Sequence, residues 1–156
     1  MAEPAVPDDF IEFLKTLNAH AVRYLVVGGY AVAHHGHPRD TGDIDIVLEP
    51  TLDNARKLVQ AVSAFGAEGL GYKPEDYLSG DFIQIGVAPV RIDITSAFDG
   101  VPQGRLWSEA VPGSIGGIAV FFPSKDCLIL NKRAAGRPKD LRDIEALSPQ
   151  DQPPTA

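Results

Sequence analysis

The chain has 156 residues, with 14 Lys+Arg against 21 Asp+Glu and a formal net charge of −7, a length that suits one domain. A hydrophobic content of 44% and a charged content of 22% exclude a wholly disordered chain. One cysteine excludes an internal disulfide framework or a multi-cysteine zinc site, no apolar run nears the ~18 residues of a membrane span, and the acidic balance disfavours tight binding to bulk nucleic acid.

Residues 1–7 and 148–156 read as tails, because both are Pro-containing and neither offers an apolar face. The first is acidic where a signal peptide is basic, so the expectation is a cytoplasmic chain with no membrane partner and a single domain over 8–147. Pro7-Asp8-Asp9 opens a helix with Phe10, Phe13, Leu14 and Leu17 at helical spacing. Tyr24-Leu-Val-Val-Gly28 is a short apolar run ending in a glycine pair, which predicts a buried strand, and a short helix follows Gly29. Residues 36–42 form a Gly/Pro loop, and Asp43–Glu49 alternates as a strand does. A helix starts at Pro50 or Thr51 and ends near Gly66. Residues 67–80 show no firm period and read as loop. Residues 81–86 and 90–95 predict two strands joined as a hairpin through Val87-Ala-Pro. Ile118–Phe122 predicts another strand. Ser124 suits the N-cap of a helix from Asp126 to Ala135. Gly136 and Pro138 break that helix, and Lys139–Leu147 forms the last one. Helices flanking a small mixed sheet make an α/β or α+β domain.

The stretch that carries chemistry is Gly28-Gly29 followed by Asp43-Ile44-Asp45. On a strand, residues i and i+2 share a face, so Asp43 and Asp45 project together with Cα atoms about 6–7 Å apart. Two carboxylates so placed repel each other unless a cation lies between them, and an oxygen-seeking divalent ion such as Mg²⁺ answers that. Taken alone, the pair also suits two solvated acids at a strand start. Glycines directly after a strand let a ligand phosphate approach the backbone, or simply make a tight strand-to-helix turn. The spacing matches neither the dinucleotide fingerprint nor a P-loop. Val90-Arg-Ile-Asp-Ile-Thr95 adds Arg91, Asp93 and Thr95 on one face, and Asp93 suits either a metal site or a salt bridge to Arg91.

Together these residues resemble the nucleotidyltransferase superfamily, the polymerase-beta-like fold, whose pattern is Gly-Gly or Gly-Ser, then Asp-x-Asp, then a third Asp on a later strand. The string from Gly28 through Arg39, Thr41 and Asp43 to Asp45 is similar to a small bacterial branch. That branch includes minimal nucleotidyltransferases and toxin components of type IV abortive-infection systems. Asn131–Asp143 is similar to it as well, so the resemblance spans roughly residues 20–147. It implies an enzyme that moves a nucleoside monophosphate from an NTP to a hydroxyl acceptor by a two-metal mechanism, with release of pyrophosphate. Asp43, Asp45 and Asp93 would be the catalytic and metal-holding acids, with Mg²⁺ or Mn²⁺ as cofactor. Gly28, Gly29 and Lys132 would contact the nucleotide phosphates, with Arg137 of the same basic run beside them, while Arg39 and Thr41, in the loop just before the aspartates, would contact phosphate or order the loop. The acceptor is left open between a protein, an RNA end and a small molecule, and an antitoxin or helical partner subunit would fit so short a chain. Gly29 departs from the Ser of many active members and loses a hydroxyl contact to phosphate. The alternative is a module on the same fold that binds a nucleotide or docks a partner without catalysis.

Other side chains suit plainer roles. Lys132, Arg133, Arg137 and Lys139 make a basic run that reads as a phosphate clamp or as a solvated helix end balanced by Asp140 and Asp143. His34, His35 and His37 lack the further ligands of a zinc site, so His35 is expected to pack or hydrogen-bond near the glycine turn. Cys127, among Leu128, Ile129 and Leu130, is expected to be buried. Trp107 and Tyr77 are expected in core or surface roles.

Overall fold

The computed structural model describes residues 6–36, 42–67, 71–86 and 91–148. The expectations for Arg39, Thr41, His37, the 87–89 connection and most of both tails lie outside the described residues.

The helix α1 (Asp8–Ala19) carries two acids in its first turn and buries Phe10, Phe13, Leu14 and Leu17, the four residues its spacing selects. β1 (Tyr24–Val27) is buried throughout and runs directly into α2 (Gly28–His34), so the helix begins at Gly28 itself. β2 (Asp43–Leu48) follows, then α3 (Leu52–Val62), whose N-cap Thr51 accepts a hydrogen bond from the backbone N–H of Asn54. Asn54 is buried because its side chain accepts from the Arg23 N–H and donates to the carbonyls of Arg23 and Glu49. One amide thus ties α3 to the outer ends of β1 and β2.

β3 (Ile83–Ile85) and β4 (Arg91–Thr95) complete a sheet in the order β1-β2-β4-β3. The β1–β2 and β3–β4 pairs are antiparallel, as the predicted hairpin requires, and β2–β4 is parallel. Ile44, Ile46, Ile92 and Ile94 share the buried face, joined by Ile83 and Ile85 of β3. α4 (Gln103–Ser108) leads to the antiparallel pair β5 (Val111–Ile115) and β6 (Ile118–Phe122). α5 (Lys125–Ala135) is capped by the Ser124 hydroxyl, which accepts from the Cys127 N–H, and it ends at left-handed Gly136. α6 (Pro138–Leu147) starts with Arg137 as N-cap, the Asp140 carboxylate reaching back to its N–H. A single hydrophobic cluster runs from Phe10 of α1 to Leu147 of α6.

Three segments depart from the sequence expectation. Residues 67–80 are not all loop: Pro74–Leu78 is a 3₁₀ turn that buries Tyr77, started by a proline and closed by Asp76 accepting from the Lys73 N–H. α4 is too short to show a period. β5 contains Pro112, Gly113 and Ser114, residues that disfavour strands, and it forms because β6 supplies its partner.

Candidate functional site

Alternation along β2 and β4, together with their register, brings the three expected acids together. Asp45 lies opposite Asp93 and Asp43 lies opposite Arg91 across the parallel pair, so all four share the face away from the isoleucines. On the other side of β2, Asp45 lies opposite Val27, the last residue before the glycine pair. Gly28 has φ +67°, and a Cβ there would sit 2.1 Å from Asp45 Oδ2. Only glycine leaves room for this carboxylate and adopts this turn without strain. Gly29 is buried in the first turn of α2.

Burial pushes the Asp45 carboxyl up to about 6, and the charges of Asp93 and Asp43 push it the same way, while Lys139 and Arg91 oppose them. Arg91 Nη2 lies 2.5 Å from Asp43 Oδ2 and 3.4 Å from Asp93 Oδ2. The site therefore gathers three carboxylates and one guanidinium that contacts two of them, with the third acid raised by desolvation and repulsion. A hard divalent cation suits such a donor set, since it needs oxygen ligands and removes the repulsion. Among the described residues, the side chains as they stand form no group of three poised on one ion, and Arg91 reaches two of the acids. By donor chemistry and electrostatics, Asp43, Asp45 and Asp93 fit the expected metal.

The sign of the Asp45 effect gives a testable pH dependence in EDTA. Its folded-state value exceeds the unfolded 3.8, so the native state binds the extra proton and is favoured at low pH. That stability is fully present below about pH 4 and is lost as pH rises through about 6. Asp45→Asn removes the charge and keeps the shape. Its melting temperature is expected to exceed that of the wild type by several degrees at pH 7.5, with the gap closing toward pH 4. A drop of several degrees at pH 7.5 would show instead that the Asp45 charge is held by a stabilising ion pair.

The basic run splits. Lys132 is buried in α5, with Nζ 2.9 Å from Asp143 Oδ2 and 3.8 Å from Asp140 Oδ1, so the structure commits its ammonium to α6. Arg137 is exposed, and its Nε bonds Asp140 Oδ2 at 2.6 Å. Burial alone would raise the Asp140 carboxyl, but its bonds from Arg137 and the charge of Lys132 hold it below the usual range. Lys139, exposed on α6, is the cation of the run whose charge acts on Asp45. Arg91 and Lys139 are thus the cations whose charges act on the acid cluster. The sequence signal for Arg91 is its shared strand face with Asp93, and that for Lys139 is its place in the basic run, which does not say which acid its charge acts on.

The remaining candidates have structural partners. The His35 ring is 2.9 Å from the Pro123 carbonyl, and His34 stacks on Phe122. Cys127 is buried, which pushes its thiol up. Trp107 donates from Nε1 to Gln103 and lies under the Arg23 guanidinium, with Tyr77 buried in the core. Among the described residues, no helix is long and apolar enough to cross a membrane.

No family model matches the chain, and no curated protein sequence does. Solved structures do match it. The lincosamide antibiotic adenylyltransferase LnuA, in its lincomycin-bound crystal structure, aligns with a TM-score of 0.59 and 20% identity over 92% of this chain and 96% of its own. The antibiotic-resistance factor ANT(2'')-Ia aligns at 0.57 and 17% identity over 90% and 80%. An antigenic nucleotidyltransferase-like protein from Paracoccidioides brasiliensis aligns at 0.54 and 19% identity over 89% and 74%. The chain has the nucleotidyltransferase fold.

Proposed function

We propose that this chain is a nucleotidyltransferase, moving a nucleoside monophosphate from an NTP to a hydroxyl acceptor with release of pyrophosphate. The observation that carries the reading is the meeting of Asp43, Asp45 and Asp93 beside the Gly28 turn, on the two central strands of a sheet of the matching fold. An acidic pair on one strand has many plain uses. A third acid in register with it, facing a carboxyl that burial first and its acidic neighbours second push up to about 6, has few unless a cation and a polyphosphate come to the site.

In this reading Gly28 and Gly29 let the phosphates come close to the backbone, and Asp43 and Asp45 would hold the cation that accompanies the NTP. Asp93 accepts the proton of the acceptor hydroxyl. The hydroxyl oxygen bonds to the α-phosphorus while the bond from that phosphorus to the bridging oxygen breaks, and pyrophosphate leaves with the electron pair. Asp43, Asp45 and Asp93 would hold Mg²⁺, or Mn²⁺ in its place, which would supply neutralisation of the phosphate charge. Lys139 adds positive charge that acts on Asp45. Residues 8–147 act as one unit. The structural likeness to two antibiotic-directed proteins favours a small hydroxylated molecule as the first acceptor to try, ahead of a protein or an RNA end.

The test is incubation with each labelled NTP, Mg²⁺ and a panel of lincosamides, aminoglycosides and cell extract, followed by mass spectrometry of the labelled species. A labelled acceptor plus pyrophosphate supports the reading. Nucleotide bound but never transferred, across all acceptors, supports the binding module instead. Calorimetry is expected to show NTP binding that needs Mg²⁺ or Mn²⁺ and weakens at least about a hundredfold in Asp43→Ala and Asp45→Ala, since each loses a charged ligand of the bound cation. Equal binding with and without the ion would count against these metal ligands.

A further inference from the structure

The acid cluster contains a cation of its own. Arg91 precedes Asp93 by two residues on β4 and therefore shares its face, and the parallel register sets it beside Asp43. One guanidinium nitrogen, Nη2, makes both contacts, at 2.5 Å and 3.4 Å. The Nε atom is buried and has no hydrogen-bond partner among the described residues. A guanidinium offers five donors in a rigid fork that matches a carboxylate or phosphate edge with two parallel bonds. Here one tip of the fork bridges two acids, and a buried donor is left over, which costs free energy. The arrangement neutralises the acids without satisfying the arginine.

We propose that Arg91 is a two-position nucleotide-binding residue. It bridges Asp43 and Asp93 while no divalent cation is bound, and it turns its fork onto the polyphosphate of the incoming NTP when the cation takes the carboxylates. This inference rests on the nucleotidyl-transfer reading above. A divalent ion and Arg91 compete for the same two carboxylates, and an ion seated there repels the guanidinium. The anion that arrives with the ion is the triphosphate, whose oxygens accept paired bonds from a guanidinium and give Nε the acceptor it lacks. Metal alone must therefore displace Arg91 with nothing in exchange, whereas metal with nucleotide supplies a new partner. Binding of the two becomes cooperative.

The test uses the full chain stripped with EDTA. Mn²⁺ is titrated without nucleotide, with free ion read by electron paramagnetic resonance, and NTP is then titrated calorimetrically at saturating Mn²⁺. Arg91→Met is expected to bind Mn²⁺ about tenfold more tightly and NTP at least about tenfold more weakly, two effects of opposite sign from one substitution. Arg91→Lys keeps the charge and loses Nε and the fork. It is expected to hold Mn²⁺ within about twofold of wild type while still weakening NTP by about tenfold, and it serves if the Met variant fails to fold. Mn²⁺ affinity unchanged or lowered in Arg91→Met overturns the proposal, as does unchanged NTP affinity in Arg91→Lys. A wild type that binds no Mn²⁺·NTP overturns the transfer reading as well. A wild type that binds it beside variants that bind it equally overturns the role of Arg91 alone.

Discussion

Asp93→Asn is expected to lower nucleotidyl transfer about a thousandfold while leaving NTP affinity within about tenfold. The substitution preserves size and removes charge at a side chain that is only 14% exposed and lies opposite Asp45 on the neighbouring strand. Asp43 and Asp45 share one strand and can keep a metal-bound nucleotide between them. On the proposed reading what disappears is the group that takes the acceptor proton, so the loss falls on the transition state. The measurement is pyrophosphate release under saturating NTP, together with calorimetric NTP binding. The Arg91 contact at 3.4 Å also changes, so the melting temperature of the variant is the control for folding. Transfer at the wild-type rate would remove Asp93 from the mechanism and direct attention to Asp81, just before β3, or Asp99, on the loop after β4, both exposed.

Lys132→Met is expected to destabilise the fold by about 3–5 kcal/mol, on the order of 6–20 °C in melting temperature for a chain of this length. The ammonium is buried between α5 and α6 and lies 2.9 Å from the carboxylate of Asp143, itself buried. Asp140 keeps Arg137 at 2.6 Å and is partly compensated, which places the expected value toward the lower end. Asp143 is the acid left without its ammonium, so Lys132→Met/Asp143→Asn is expected to recover most of the loss. The depressed Asp140 carboxyl gives the pH sign: its contribution is present above the unfolded value near 3.8 and is lost as pH falls through its lower folded value. An unchanged melting temperature accompanied by a large loss of NTP affinity would return Lys132 to the phosphate clamp suggested by the basic run.

The two cases show where local pattern stops. The strand alternation of Asp43-Ile-Asp-Ile and Arg91-Ile-Asp-Ile, the glycine pair ending an apolar run, the Ser124 cap and the Gly136 stop are all encoded within a few residues. Each was legible because a period or a cap is a short-range property of the backbone. The resemblance to nucleotidyltransferases rests on that same short-range set. The 3₁₀ turn at Pro74–Leu78, α4 and β5 were not legible, being too short to show a period or stabilised only by a distant partner.

By itself, then, the sequence determined that two acids share one face of a strand, that a glycine turn precedes them, and that a third acid faces outward on a later strand. Only the tertiary structure decided that β2 and β4 pair in parallel with Asp45 opposite Asp93, and that Arg91 stands between Asp43 and Asp93. It likewise turned Lys132 inward to Asp143 and set Lys139 where its charge acts on Asp45. The division follows the range of the forces involved. Side-chain direction is set residue by residue through φ and ψ, whereas strand register and the pairing of α5 with α6 depend on contacts between segments tens of residues apart, which no local pattern encodes.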